Sequence, residues 1–292
     1  MSSFYLTLTQ LPTPITVVAA ITLGLLVGSF LNVVILRLPK MMENEWKNDC
    51  CELLKIENSA STEIFNLGFP NSHCPNCNHK IRAWENIPVI SYLFLKGQCS
   101  SCKKSISIRY PIIELISGLL AGYVIYFYGA TPQGLTALLL LWALIALTAI
   151  DIDTQYLPDN ITLPLLWLGL LINSFDVFTD IYSAVYGAIA GYGILWSVYW
   201  LFKLLTGKEG MGFGDFKLLA ALGAWMGWEA LPVIIILSSL VGAVIGIAGI
   251  LIQGRDKNIP IPFGPYLAIA GFITLLYGDK IIQIYFDSVG LS

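Results

Sequence analysis

Apolar runs recur along this chain at 14–36, 111–129, 134–150, 161–175, 181–204, 216–229, 231–252 and 262–279. Runs of that number and length fit a bilayer, where a helix is the simplest segment that satisfies its own backbone. The composition agrees: 56% of the residues are hydrophobic and 12% charged, about half the charge of an average soluble domain. The expected fold is an all-α polytopic membrane protein with about eight transmembrane helices. A full crossing takes about 20 apolar residues, and the runs at 134–150, 161–175 and 216–229 fall short of it. The segment before Pro14 carries no Lys or Arg, and the apolar run after it is too long for a cleaved signal. It is expected to be a retained span. Glycines such as Gly187, Gly191 and the Gly242/Gly246 pair suit close helix packing in lipid.

The basic residues set an orientation. Ten of the sixteen Lys and Arg lie between Arg37 and Arg109, so the positive-inside rule puts that loop in the cytoplasm and the N-terminus outside. Eight crossings then bring Lys203, Lys208, Lys217, Arg255 and Lys257 to the inner side as well, and only Lys280 falls outside. The expected division is a first helix in 1–36, a cytoplasmic loop in 37–110 and a membrane core in 111–292. The outer connectors are brief, so the chemistry belongs on the cytoplasmic face or within the membrane. No nucleic acid is expected as a partner; the lipid bilayer is.

The loop holds two CxxC pairs, Cys74/Cys77 and Cys99/Cys102. Each knuckle offers two sulfurs from one turn, and two knuckles close a tetrahedron, which is the pattern of a four-thiolate Zn2+ site. Four thiolates leave no open coordination position, so the metal is structural. A reducing compartment disfavours disulfides, and a small loop gains stability from a metal. Cys50 and Cys51 have no partner pair and receive no role. His73 and His79 flank the first knuckle and are the only histidines in the chain. Two histidines so placed exclude an HExxH protease and a Ser-His-Asp triad.

Two acids stand out at span ends. Asp151 directly follows apolar Ile150 at the end of one run. Asp215 follows Gly212 and Gly214 and begins another. A pair of carboxylates that meet can run aspartic-protease chemistry with only a water between them, since neighbouring acids do not both ionise. The glycines remove side chains beside Asp215 and permit positive φ, which would let a peptide backbone approach. Asp153 is expected in solvent, and Asp159 with Asn160 reads as a helix N-cap. The runs at 161–175 and 216–229 span roughly 22 and 21 Å as helices, against a hydrocarbon core of about 30 Å. That shortfall suggests a recessed, wetted notch around the acids.

Taken together these motifs resemble the type IV prepilin peptidases, the bacterial inner-membrane leader peptidase/N-methyltransferases of the GxGD aspartic type. The resemblance rests on GSFLNVVILRLP (Gly28–Pro39), the Cys74–Cys102 module, ISIRYPIIELISG (Ile106–Gly118), AIDIDTQYLPDN (Ala149–Asn160), GMGFGDFKLLAALGAW (Gly210–Trp225) and PFGPYLAIAG (Pro262–Gly271). It implies Asp151 and Asp215 as the catalytic pair, and prepilins and pseudopilins as substrates cut at the cytoplasmic face. It also implies methylation of the new N-terminus with S-adenosyl-L-methionine. Glu85, Asn86, Gly97 and Arg109 are candidates for methyl transfer because they fall in matching motifs, with support of the zinc module as the plainer role. Glu114 is a candidate contact for the substrate's amine or leader, or a partner of a basic residue such as Arg109. Lys217, Pro262 and Gly264 are candidate support for the acids, and Asn32 is a candidate packing amide. Two other readings stay open: a peptidase without methyltransferase activity, and a transporter with a cytosolic zinc module. The segment Lys40–Asn71 departs from the shared motifs.

Overall fold

The computed structural model describes residues 12–56, 65–208, 210–253 and 262–289. Arg255 and Lys257 lie outside these residues. The regular structure of the described residues is helical, with two isolated β-bridges, His73 to Lys80 and Gln98 to Ser105, in the mostly irregular stretch between 65 and 108. The chain divides into two units, 1–130 and 131–292.

The first unit is built on α1 (Thr13–Leu54) and α3 (Arg109–Tyr128), with a short helix α2 (Ile90–Phe94) between them. Helix α1 runs 42 residues, well past the apolar run at 14–36 and through Pro39. Helices α1 and α3 pack backbone to backbone. Gly24 and Gly28 of α1 face Ser117, Gly118 and Ala121, or Glu114 and Ser117, so closely that a Cβ would collide. Small residues permit this approach in lipid, where packing rather than water exclusion joins helices. Two polar groups reinforce it. Ser117 Oγ donates to the Gly24 carbonyl at 2.6 Å, and Asn32 Nδ2 donates to the Tyr110 carbonyl at 3.2 Å. Asn32 is thus the packing amide expected of it.

The second unit holds α4 (Pro132–Thr154), α5 (Asp159–Asn173), α6 (Ile181–Thr206), α7 (Phe213–Met226), α8 (Leu231–Gln253) and α9 (Gly264–Val289). Its centre is α7. Phe216, Leu218, Leu219, Ala221, Leu222, Ala224 and Trp225 of this helix are fully buried. A helix apolar on every side has no solvent face to offer and belongs inside. It lies against α5, α6 and α9. Gly187 of α6 meets Gly223 of α7 backbone to backbone, Gly191 meets the Leu219 carbonyl, and Gly169 of α5 leaves room for the Trp225 ring. The far end is pinned by side chains. Asn173 Nδ2 donates to the Ala224 and Trp225 carbonyls at 2.8 and 2.9 Å. Trp225 Nε1 donates to the Leu165 carbonyl at 2.8 Å. The Asn173 bonds take up carbonyls that the C-terminus of α7 leaves open.

Each of the eight apolar runs falls on a helix, and among the described residues six helices are long and apolar enough to cross a membrane. The run at 134–150 gains length from flanking residues and becomes the 23-residue α4. Helices α5 and α7 stay short at 15 and 14 residues. The multi-pass membrane character read from composition therefore holds, with α7 set as a buried helix among longer ones. One consequence concerns the Gly187/Gly223 contact. Gly187→Val and Gly223→Val should destabilise the protein by about 1–3 kcal/mol or more through overpacking. Gly193→Ala, with nothing near its position, should stay within about 0.5 kcal/mol. Thermal unfolding of detergent-purified protein measures both, and equal shifts would contradict the packing described.

Candidate active site

Asp151 lies in the last turn of α4 and Asp215 in the first turn of α7. Their side chains are buried, with the residues 4% and 6% exposed. Asp151 Oδ2 accepts a hydrogen bond from the Gly264 backbone N–H at 3.0 Å. Gly264 opens α9, where the helix leaves backbone donors without an internal partner. A Cβ there would run into the Asp151 carboxylate and the Leu157 side chain. The Gly212 backbone lies against the Asp215 carboxylate, and Asp151 is near enough for its charge to act on Asp215. Two buried acids on separate helices therefore lie within reach of one another's charge.

Leu157 is the piece that sequence reasoning missed. Its side chain lies against both Gly214 and Gly264, and a Cβ on either glycine would strike it. It wedges the start of α7 against the start of α9 and so fixes the two acids relative to each other. Its signal in the sequence is its place in the shared motif AIDIDTQYLPDN, beside Pro158 and Asp159, where it carries no chemistry of its own.

Two expectations about this region are corrected. Gly212 has φ of -85°, and neither it nor Gly214 is among the glycines with positive φ. Gly214 answers to the closeness of Leu157 instead, and Gly212 to no crowding beyond ordinary contact. Asp159 does not cap its helix. Pro158 takes the N-cap position with no side-chain bond, and the Asp159 carboxylate pairs with Lys217 Nζ at 2.7 Å through both oxygens. Lys217 therefore ties α5 to α7. Pro262 lies two residues before the start of α9, with Phe263 between.

The four cysteines converge in the first unit, with all four Sγ atoms within 4.8 Å of one another. Cys74 and Cys102 are 3.8 Å apart and Cys77 and Cys99 are 3.9 Å apart. A tetrahedron with metal–sulfur bonds of about 2.3 Å has edges of about 3.8 Å. The donor set thus fits a four-thiolate metal ion. The two knuckles are copies of one local structure. Cys74 N–H donates to His79 and Cys99 N–H to Lys104, each at 2.9 Å. The residues after the second cysteines, Asn78 and Lys103, both take positive φ. The thiols do not share one proton affinity. The Lys104 backbone N–H draws Cys102 down to about 6. Although the His79 N–H acts to lower it, Cys77 is pushed up to about 11 by burial and its thiol neighbours. A bound dication holds all four as thiolates.

Around the cluster, the Glu85 carboxylate accepts from the Arg82 backbone N–H at 2.8 Å and lies 3.2 Å from His79 Nε2. The Arg82 N–H, the Ser100 hydroxyl and the His79 ring keep Glu85 below the usual carboxylate range. His79 is therefore engaged beside the cluster, not in it. Gly97 has φ of +66° and sits against the Tyr92 ring, a position a side chain would strain. Asn86 is exposed at the end of the turn Ala83–Asn86, and Arg109 opens α3. Glu114 is buried in α3 and accepts from the Val89 backbone N–H at 2.7 Å. Val89 has φ of 61°, unusual for a β-branched residue. Glu114 thus anchors the loop that carries α2.

A multi-pass helical protein with two buried acids at helix ends and a four-cysteine module defines a membrane enzyme class. Residues 22–128 match the Bacterial Peptidase A24 N-terminal domain, and residues 138–247 match the Type IV leader peptidase family. A prepilin leader peptidase/N-methyltransferase of Stutzerimonas stutzeri is 58% identical over 92% of this chain and 93% of its own. One of Pseudomonas aeruginosa is 57% identical over 94% of this chain and 95% of its own. One of Burkholderia pseudomallei is 49% identical over 92% of this chain and 87% of its own. The chain belongs to the type IV leader peptidase family. No solved structure matches it.

Two predictions follow from the geometry. Gly214→Ala and Gly264→Ala should each cost about 1–3 kcal/mol by overpacking against Leu157, while Gly212→Ala should cost less than about 0.5 kcal/mol. Thermal unfolding ranks them, and a Gly212→Ala cost equal to the others would contradict the contacts. Cys74→Ser and Cys99→Ser should each remove most of the bound metal in elemental analysis of purified protein. Unchanged metal content would overturn the four-thiolate assignment.

Proposed function

We propose that the chain is an aspartic endopeptidase that removes the leader from type IV prepilins and pseudopilins. It then methylates the new N-terminus. The carrying observation is that Asp151 and Asp215 are both buried and within reach of one another's charge, in a chain of the leader peptidase family. In this reading one carboxylate is ionised and takes a proton from water. The resulting hydroxide attacks the scissile carbonyl carbon, and the protonated partner donates to the carbonyl oxygen. Collapse of the tetrahedral intermediate breaks the C–N bond, and the proton returns to the leaving amine. The Gly264 N–H selects the orientation of Asp151, and Leu157 sets the distance between the helices that carry the acids.

The short helices α5 and α7 support a site set below the membrane surface, where an apolar pilin helix enters from the bilayer. The basic residues favour the cytoplasmic face of the bacterial inner membrane, with a periplasmic N-terminus. Zinc is the metal best suited to four thiolates, and its closed shell gives it a structural role. S-adenosyl-L-methionine supplies the methyl group when bound. The bonds of Glu85 and the left-handed backbone of Gly97, which only glycine takes without strain, support a scaffold role for both, with Asn86 and Arg109 in the same module. Lys217 and Pro262 are read as support for the helices that hold the acids.

The test is product mass after incubation of purified enzyme with a prepilin and S-adenosyl-L-methionine. The expected product lacks the leader and carries one methyl group. Asp151→Asn and Asp215→Asn should each lower cleavage by at least about 10⁴-fold, as loss of a member of a catalytic unit does, while retaining methylation of a pre-cleaved pilin. Cleavage that survives in either variant sinks the dyad.

A further inference from the structure

The first unit carries an apolar face that its own packing does not cover. Helix α2 is five residues long. Ile90, Leu93 and Phe94 share one side of it, since positions three and four apart fall together on a helix. That side faces outward: Leu93 is 68% exposed and Phe94 84%. The inward side is instead the more polar one, with Ser91 and Tyr92 half-buried and the Tyr92 hydroxyl donating to the Ile106 carbonyl. Trp84 and Ile87, just before α2, are exposed as well. A small module in water would bury this side.

The location of the face is fixed by one bond. Glu114 accepts from the Val89 N–H immediately before α2. Glu114 lies five residues into α3, a helix long and apolar enough to cross a membrane, which places it roughly 8 Å along that helix at 1.5 Å per residue. The start of α2 is therefore held at the depth where a span meets the headgroups. Charge points the same way. Between 65 and 110 there are six Lys and Arg residues and one acid, Glu85. Glu85 is turned inward toward His79 and Arg82. Four thiolates around a dication remove two positive charges and leave the segment basic. Lys80, Lys96 and Lys104 are exposed.

We propose that Trp84, Ile87, Ile90, Leu93 and Phe94 insert into the interface of an anionic lipid bilayer, with the surrounding lysines on the headgroups. An exposed apolar side within a basic segment is the chemistry of interfacial anchoring, and Trp favours that depth. The insertion holds the metal module down on the membrane surface.

The full-length protein, with Phe94 replaced by an environment-sensitive fluorescent amino acid, is reconstituted into phosphatidylglycerol or phosphatidylcholine vesicles. Nitroxide-labelled lipid should quench the probe, and aqueous iodide should not. Lys80→Gln and Lys104→Gln should each shift the inserted-to-free ratio about fivefold toward free in phosphatidylglycerol, which is about 1 kcal/mol per basic residue near such a surface. Metal content, measured in parallel, certifies the fold of each variant. Full iodide quenching in both vesicles, with metal retained, overturns the proposal. So does lipid quenching that appears only after a prepilin is added, which would give the face to the substrate.

Discussion

The buried contact between α6 and α7 is the constraint on which the second unit depends. Gly187 and Gly223 bring two backbones together, and Gly191 repeats the approach one turn on. No side chain fits between them. Lipid offers no strong hydrophobic drive for helices to associate, so close van der Waals contact has to supply it. A 14-residue helix held this way needs no length to span a membrane. It needs only neighbours on every side. Asp215 inherits its position from that packing, in the first turn of a helix whose far end is clamped by Asn173 and Trp225.

Burial of two carboxylates is costly unless each finds a polar partner. The Gly264 N–H answers for Asp151, and the Gly212 backbone lies by Asp215. Both donors come from helix starts. Lys217, a candidate support for the acids, is engaged by Asp159. That pair is partly exposed on both sides and contributes little stability by itself; its effect is to tie α5 to α7.

The metal module follows a separate logic. Each knuckle repeats the same turn, the same backbone bond and the same positive φ after its second cysteine. Two copies of one turn produce a tetrahedral donor set without a hydrophobic core. The module is joined to the first unit's helices by Glu114 and Val89, and Arg37 donates to the Asn66 and Pro70 carbonyls at 2.9 and 2.7 Å. Polar bonds of this kind fix a small module where apolar burial is scarce.

Much was legible in the residues alone. Apolar run length and charge placement gave the helical membrane class, because a bilayer admits so few backbone solutions. The CxxC spacing announced the thiolate cluster, because two sulfurs per turn leave one geometry. Asp151 and Asp215 were visible as acids at span ends, where an unused charge is expensive. Tertiary structure alone decided the rest. Leu157 carries no chemical signature, so its wedge between Gly214 and Gly264 appears only when α4, α7 and α9 are assembled. The roles of Gly214 and Asp159 changed for the same reason: local propensity suggested a flexible turn and a cap, and long-range contacts overrode both. Sequence determines which groups exist and which segments must be helices. Which of those groups touch is set by packing between helices distant in the chain, and no local pattern encodes it.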